Sequence, residues 1–201
     1  YIIYIMILSF DIGIKNLGYC ILYKDLTINN EKNLIIHKWG IINILEDNEK
    51  CKDISLDEIG TRMYKRLQDE FLEENITEVL LENQPVLKNP VMKSIQILIM
   101  GFFKYESIIL GREIKLIKLI NASNKLKLGK KLIQFNESED ILKIKSKYNR
   151  NKKLAILYTN YFLEKELYSD YNKYNILFNE HKKKDDLSDA FLQGLYYIKN
   201  N

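Results

Sequence analysis

Three apolar runs near the start of the chain predict an antiparallel meander. Residues 5–10 are mostly aliphatic and lead directly to Asp11, and the segment after it is rich in Gly and Asn, which favour turns. Residues 19–25 and 33–44 have the composition of a second and a third strand. The pattern therefore predicts three consecutive antiparallel strands, the first of which ends in a carboxylate.

Helices and strands alternate in the next part of the chain. Ser55 and Glu58 have the spacing of a capping box, and apolar residues recur at intervals of three and four as far as Phe71. Glu82 closes a short apolar run that is typical of a buried strand. The elements predicted are a helix at 56–71, a strand at 77–83, a helix that begins at Asn89 and Pro90, and a strand at 113–120. Strands that are joined through helices are expected to be parallel.

The last third of the chain is rich in lysine, and its elements are less regular. Residues 121–150 are polar and basic with no clear period, 153–167 have a helical pattern, and 168–175 are typical of a polar, aromatic connection. Residues 185–198 predict a closing amphipathic helix. No repeat or linker is evident, so the order of elements predicts one α/β domain over residues 1–201. Its five-stranded mixed sheet would have three antiparallel strands and then parallel strands, flanked by helices.

Composition narrows the class of protein. The chain has 201 residues, 46% hydrophobic and 29% charged, which is typical of a folded globular protein rather than a disordered one. Cys20 and Cys51 lack the spacing of a redox or zinc motif, and His37 and His181 are too few for a zinc cluster. The net charge of +4 indicates a nucleic-acid partner only weakly, because each lysine-rich run could equally be solvated surface.

The sequence also predicts where the protein acts. No apolar run reaches the ~20 residues needed to span a bilayer, so we expect no membrane association. The apolar opening lacks a basic leader and a small-residue cleavage site, which argues against a secretory signal, and Met6 is a candidate start of the natural chain. We therefore expect an intracellular protein.

Four carboxylates stand where predicted elements begin or end. Asp11 and Glu82 close the first and fourth strands, and Asp186 and Asp189 lie one turn apart at the start of the last helix. If the two strands are neighbours, all four carboxylates can converge, and their mutual repulsion then requires cations. All-oxygen ligands favour Mg²⁺ or Mn²⁺, and two such ions about 4 Å apart are typical of phosphodiester hydrolysis. Asp11 is the candidate bridge between the ions.

Each of these acids also has an ordinary interpretation. An Asp that ends a strand is often a turn-former, Glu82 could begin a loop, and acids at a helix start favour the helix dipole. The metal site is favoured only by their conjunction. Gly13 and Gly18 are expected to keep the chain clear of an ion or substrate, because glycine has no Cβ.

Three segments together resemble a known family. They are ILSFDIGIKNLGYCIL at 7–22, VLLENQPVLKNPVMKS at 79–94 and KKDDLSDAFLQGLYY at 183–197. In order and context they are similar to the RuvC-type Holliday junction resolvases of the ribonuclease-H-like superfamily, and most similar to the poxvirus and mitochondrial branch. The first segment alone is less specific, since actin-like ATPases and sugar kinases also use a strand, an Asp and a glycine turn.

The resemblance implies a role for each candidate residue. Four would be the metal-binding catalytic acids: Asp11, Glu82, Asp186 and Asp189. Asp186 is preferred to the adjacent Asp185 because its three-residue interval to Asp189 matches the family. The family also uses a lysine after the fifth strand, for which we choose Lys125 over Lys127, although an ordinary solvated or phosphate-touching lysine is an equal alternative.

The resemblance further implies an endonuclease that resolves four-way DNA junctions by paired symmetric nicks, with two Mg²⁺ or Mn²⁺ ions per site. A homodimer matches the two-fold symmetry of the junction, and the helix at 88–103 is a candidate interface. No small-molecule cofactor is expected. The setting would be a viral replication site in the cytoplasm or a mitochondrion. Alternatives are a related nuclease that cuts RNA or RNA–DNA hybrids, an actin-like phosphotransferase, and a non-catalytic junction-binding protein.

Overall fold

One five-stranded mixed sheet lies at the centre of the computed structural model, which describes residues 5–25, 33–87, 89–132, 141, 143–167 and 170–201. Its strands are β1 (Ile7–Asp11), β2 (Leu17–Lys24), β3 (Leu34–Ile42), β4 (Glu78–Glu82) and β5 (Leu116–Ile120). They lie in the order β3-β2-β1-β4-β5, with β1, β2 and β3 antiparallel and β1, β4 and β5 parallel. The predicted fold class is confirmed.

Helices cover both faces of this sheet. They are α1 (Leu56–Phe71), α2 (Pro90–Ile108), α3 (Asn124–Leu132), α4 (Lys147–Glu166), α5 (Tyr171–Glu180) and α6 (Lys184–Asn200), with a short 3-10 turn at Cys51–Asp53. Ser55 and Asn89 cap α1 and α2 as predicted: their side chains accept from the backbone N–H groups of Glu58 and Met92. None of the described helices combines the length and apolar character that a membrane crossing needs.

The last third of the chain contains more helix than the sequence predicted. The stretch at 121–150, for which no period was evident, contains α3 and the start of α4, and its residues 133–140 and 142 lie outside the described ranges. The connection predicted at 168–175 is wrong for 171–175, which belong to α5, and its residues 168 and 169 lie outside the described ranges. In α3 the buried positions include Lys125 as well as Leu128, so a charged residue occupies a position where an apolar one would reveal the helix. In α5 the buried residues are Tyr174 and Phe178, which pack against Trp39.

The alternation of side chains along the strands sends the carboxylates to one face. Leu8 and Phe10 of β1 enter the core shared with α1 and α2. Ile7 faces the other way, packing with Tyr197 of α6. Because successive side chains in a strand point to opposite faces, Asp11 shares the α6 face with Ile7. The same alternation places Glu82 with Leu80 on that face, while Leu81 lies opposite.

Helix α6 approaches the sheet closely enough to make polar contacts with it. The indole N–H of Trp39 donates to the carbonyl oxygen of Leu187 at 3.1 Å. The side-chain amide of Gln193 donates to Ser9 Oγ at 3.0 Å and to the carbonyl oxygen of Phe10 at 3.1 Å. All three contacts are buried, so they fix the position of α6 over β1 to β3.

Two glycines have structural reasons that differ from those predicted. A Cβ on Gly18 would lie 2.6 Å from the carbonyl oxygen of Asp186, so this glycine makes room for the first turn of α6. A Cβ on Gly13 would lie 2.3 Å from the carbonyl oxygen of Asn16 in the β1–β2 turn. Backbone approach within the fold is reason enough for both glycines, and their role in keeping the chain clear of an ion or substrate stays a prediction.

We expect Gly18→Ala to destabilise the protein by about 1–3 kcal/mol, because the added methyl group must displace the start of α6. The measurement is the free energy of unfolding in urea. Gly60→Ala in α1 is the matched control: its Cβ would make only ordinary contact with Leu98, at 3.6 Å, and alanine favours a helix by roughly 0.5–1 kcal/mol. Equal stability of Gly18→Ala and the parent would contradict this packing.

Candidate active site

Two strand-borne carboxylates lie side by side at one edge of the sheet. The parallel strands β1 and β4 are paired up to Phe10 and Leu81, so Asp11 and Glu82 occupy the next position of each strand. Both side chains are mostly buried, and each exposes 13% of its surface. The backbone of two central strands therefore sets the separation of these carboxylates.

The last helix brings two more carboxylates to the same place. Asp186 and Asp189, one turn apart in α6, line a cavity of about 570 Å³ together with Asp11 and Glu82. Asp185 also borders this cavity, but its carboxylate forms an ion pair with Lys152 of α4. That ion pair lowers the pKa of Asp185 despite the opposing effect of burial. Asp186 has no such cationic partner among the described contacts, which favours it as the available carboxylate of the pair.

Lys125 of α3 lies at the point where the acids converge. Its Nζ atom is 2.6 Å from Asp189 Oδ2, 3.0 Å from Asp11 Oδ1 and 3.3 Å from Glu82 Oε1. Only 5% of this side chain is exposed. Lys127, the alternative from sequence, is exposed and donates to Asn124 at 2.8 Å. The structure thus brings Lys125 together with three of the predicted acids and leaves Lys127 outside.

The electrostatics of this cluster are unbalanced. Burial raises the pKa of Asp11, an effect that Lys125 opposes and Glu82 reinforces. Burial also raises the pKa values of Asp186 and Asp189 to about 6, with contributions from neighbouring aspartates. Burial alone would lower the pKa of Lys125, but the surrounding carboxylates outweigh it and keep the ammonium charged. One positive charge therefore faces up to four negative ones, and further cations would stabilise the ionised cluster.

The donor set fits a hard divalent cation. Within the described ranges, no group of three or more His, Cys, Asp or Glu side chains is arranged to hold a metal ion without rearrangement. The Lys125 ammonium lies between the carboxylates of Asp11, Glu82 and Asp189, within 3.3 Å of an oxygen atom of each. The ligand atoms are carboxylate oxygens, the chemistry that Mg²⁺ and Mn²⁺ prefer. The four carboxylates also carry more negative charge than Lys125 neutralises, which favours the binding of a cation.

A hydrogen-bonded chain behind Glu82 was not predicted from the sequence. The side-chain amide of Gln84 donates to Glu82 Oε2 at 3.0 Å, and the backbone N–H of Gln84 donates to Gln96 Oε1 at 2.8 Å. Lys93 also donates to Gln96 Oε1, at 3.1 Å. Gln96 is fully buried between apolar positions of α2, and a polar residue in that pattern was the available signal. The chain orients the carboxylate of Glu82.

Gln193 fixes the position of α6 against the sheet. It follows Asp189 by four residues, which places both side chains on one face of the helix, and its amide is anchored to Ser9 and Phe10 of β1. Asp11 is the next residue of that strand. Gln193 therefore ties the helix that carries Asp189 to the strand that carries Asp11, a positioning role that the spacing alone did not reveal.

The raised pKa values predict how stability depends on pH in the presence of a chelator. Asp189 binds its proton more tightly in the folded state, with a pKa of about 6 against 3.8 ordinarily. Between these two values the unfolded state loses its proton first, so rising pH removes stability from the fold. We expect the Tm of Asp189→Asn to rise by several degrees relative to the parent as pH goes from 4 to 7, measured by calorimetry.

Asp185→Asn is the control with the opposite sign. The pKa of Asp185 is lowered by Lys152, so its ionised form contributes stability that is present above the ordinary pKa and lost as pH falls. The Tm of Asp185→Asn should therefore fall relative to the parent as pH rises from about 2 to about 4, and should run parallel to the parent above that range. Parallel pH profiles for the parent and both variants would contradict the electrostatic description of the site.

Comparison with known proteins adds one sequence relative. No protein-family model matches the chain. A stretch of 138 residues, 66% of the chain, is 39% identical to uncharacterized protein L451 of Acanthamoeba polyphaga mimivirus. The match spans 31% of that protein, so the chain accounts for about a third of the length of this relative.

Solved structures match nearly the whole chain. The yeast mitochondrial Holliday junction resolvase Ydc2 is 20% identical with a TM-score of 0.64, covering 96% of this chain and 78% of that one. Fowlpox virus resolvase in complex with Holliday junction DNA is 22% identical with a TM-score of 0.57, covering 96% and 97%. T. thermophilus RuvC in complex with a Holliday junction is 10% identical with a TM-score of 0.51, and the match covers 96% of this chain and 94% of that one. The protein therefore has the fold of the RuvC-type Holliday junction resolvases.

Proposed function

We propose that the protein is an endonuclease that resolves four-way DNA junctions by divalent-metal-dependent hydrolysis of phosphodiester bonds. The observation that carries the proposal is the convergence of Asp11, Glu82 and Asp189 on the Lys125 ammonium, with Asp186 on the same cavity. The fold adds support, because the similar structures are Holliday junction resolvases, and those of fowlpox virus resolvase and T. thermophilus RuvC include junction DNA.

The residues of the cluster divide into two roles. The carboxylates of Asp11, Glu82, Asp186 and Asp189 would hold two Mg²⁺ or Mn²⁺ ions. The chemistry supplied by such ions is the activation of a water molecule and the stabilisation of the departing oxygen. Gln84 keeps Glu82 oriented, and Gln193 keeps Asp189 in register with Asp11. Residues fixed in this way need little reorganisation when a phosphate enters.

Lys125 is the proposed electrostatic catalyst. Its ammonium has three N–H donors, which in this structure face three carboxylates. When cations bind these carboxylates, the ammonium is free to donate to a non-bridging phosphate oxygen and offset the charge that develops there. The neighbouring carboxylates keep it charged at neutral pH, because they raise its pKa by more than burial lowers it.

The proposed assembly is a homodimer through α2. A four-way junction requires two cuts related by two-fold symmetry, and a dimer of identical chains presents two sites with that symmetry. One face of α2 carries exposed apolar residues at helical spacing: Val91, Ile97, Tyr105 and Ile108. This face extends the interface candidate at 88–103 towards the C-terminal end of the helix.

The relatives also bear on where the protein works. They come from a giant virus, a poxvirus and yeast mitochondria, which supports a role in viral genome processing or mitochondrial recombination. We place this protein with the viral group, at a cytoplasmic replication site, because the sequence relative is viral.

We expect Asp11→Asn and Glu82→Gln to reduce junction cutting by at least about 100-fold, since even residues behind metal ligands typically matter by about 10- to 100-fold. Junction binding should change little. The assay incubates labelled four-way junction, linear duplex and RNA–DNA hybrid with and without Mg²⁺. Glu78→Gln is the matched control, because Glu78 begins the strand that Glu82 ends. If Asp11→Asn cut junctions at the rate of the parent, the assignment of the active site would be wrong. If the parent preferred the RNA–DNA hybrid, the related nuclease that cuts RNA or hybrids would be favoured.

The dimer is tested with a supercoiled plasmid that extrudes a cruciform. The parent protein should cut both strands within one encounter and yield linear plasmid. Ile97→Asp places a charge on the α2 face, and we expect it to give a monomer in sedimentation and mostly nicked circles. A monomeric Ile97→Asp that still linearises the plasmid as the parent does would contradict the proposed assembly.

A further inference from the structure

A second cavity adjoins the acidic one and has the opposite charge. Its volume is about 550 Å³, and it shares Lys152 and Asp185 with the candidate active site. The two cavities are therefore neighbours that share a wall at the Lys152–Asp185 ion pair. We call the second one the α4–α6 groove, formed by Asn149, Lys152 and Lys153 of α4 and by Lys182 and Lys183 just before α6.

Cations dominate the α4–α6 groove. Among the residues that the structure describes, four lysines line it with one aspartate, Asp185, whose carboxylate is already paired with Lys152. Lys153 and Lys182 are exposed, and neither forms a salt bridge with the residues that the structure describes. Unpaired ammonium groups along a groove next to a phosphodiester-cutting site suit the phosphates of a bound strand.

An exposed aromatic ring lies at the boundary between the two cavities. Tyr148 lines the acidic cavity with 67% of its surface exposed, and Lys152 Nζ lies 4.7 Å from the centre of its ring. Lys152 is in turn held by Asp185, which fixes the cation beside the ring. A tyrosine that serves the core normally buries its ring, whereas a solvated ring beside a cation provides a surface for stacking.

The start of α4 presents different side chains to the two cavities. Tyr148 and Lys152 are four residues apart and border the acidic cavity, while Asn149 and Lys153, also four apart, border the groove. One helix start therefore presents a ring towards the candidate cutting site and polar groups towards the basic side. A strand that crosses α4 would meet the ring first and the lysines next.

We propose that Tyr148 stacks on an unpaired base next to the scissile phosphate, and that the α4–α6 groove binds the phosphates that follow on the same strand. This inference rests on the proposed nuclease function and names the part of the substrate that the site takes. The occupant is single-stranded nucleic acid, because a ring can stack on a base only when that base has left its own stack. At the branch point of a four-way junction the arms meet and the continuous duplex ends, so a base there leaves its stack more readily than a base within an arm.

The test measures binding without cutting, so that it does not depend on the nuclease proposal. A fluorescein-labelled eight-residue oligothymidylate is titrated with the full-length protein in EDTA, and the Kd is read from anisotropy. Tyr148→Ala should weaken binding by roughly 5- to 100-fold, the range for loss of one base–aromatic stack, and Tyr148→Phe should bind as the parent does. Tyr171→Ala, at an exposed ring that begins α5, is the control and should change little.

The lysines are tested through the salt dependence of the same Kd. Removing one phosphate contact from a single strand should lower the slope of log K against log salt by about 0.7. We expect this for Lys153→Ala and Lys182→Ala, and no change for Lys65→Ala on α1, across the sheet. Unchanged slopes, or a Kd of Tyr148→Ala within twofold of the parent, would overturn the inference, as would an equal loss in Tyr148→Phe. Absence of junction cutting by the parent would overturn the nuclease proposal alone.

Discussion

The contact of one buried ammonium with three carboxylates is the interaction on which the rest of the structure depends. Lys125 supplies a single positive charge where Asp11, Glu82 and Asp189 meet, and these acids come from two strands and the last helix. Without that charge the carboxylates would repel one another in a partly buried space. With it they remain close, although burial and, to a lesser extent, Glu82 still raise the pKa of Asp11. The cluster is stable enough to fold and negative enough to bind cations.

The rest of the fold opposes the residual repulsion. Trp39 and Gln193 attach α6 to β3 and β1 through buried hydrogen bonds, and Gly18 lets the first turn of the helix approach the sheet. The apolar residues of α6 contribute a large buried surface on the same side. A helix held only by its acids would move away from the sheet. The cost of gathering like charges is therefore offset by packing a few residues further along the same helix.

How much could be predicted from the sequence follows from how each residue is positioned. Asp11 and Glu82 could be placed because strand periodicity and parallel pairing fix where strands end. Lys125 could be named by resemblance, but its helix could not, because a charged residue fills a core position of α3. Gln96 and Gln193 were missed for the same reason: each is a polar side chain at a buried position, and its hydrogen-bond partner belongs to another element of the chain.

The opposite charges of the two neighbouring cavities would solve a problem that the proposed nuclease site has. The acidic cavity, lined by Asp11, Asp186 and Asp189, would repel a phosphate until cations neutralise these carboxylates. It therefore cannot supply the initial attraction for DNA. The lysines of the α4–α6 groove lie next to the acidic cavity and can attract the phosphate backbone of a nucleic acid. The Asp185–Lys152 ion pair borders both cavities and neutralises a lysine at their boundary. In the proposed function, attraction and chemistry thus occupy adjacent but separate surfaces, and a strand held on the first would lie next to the second.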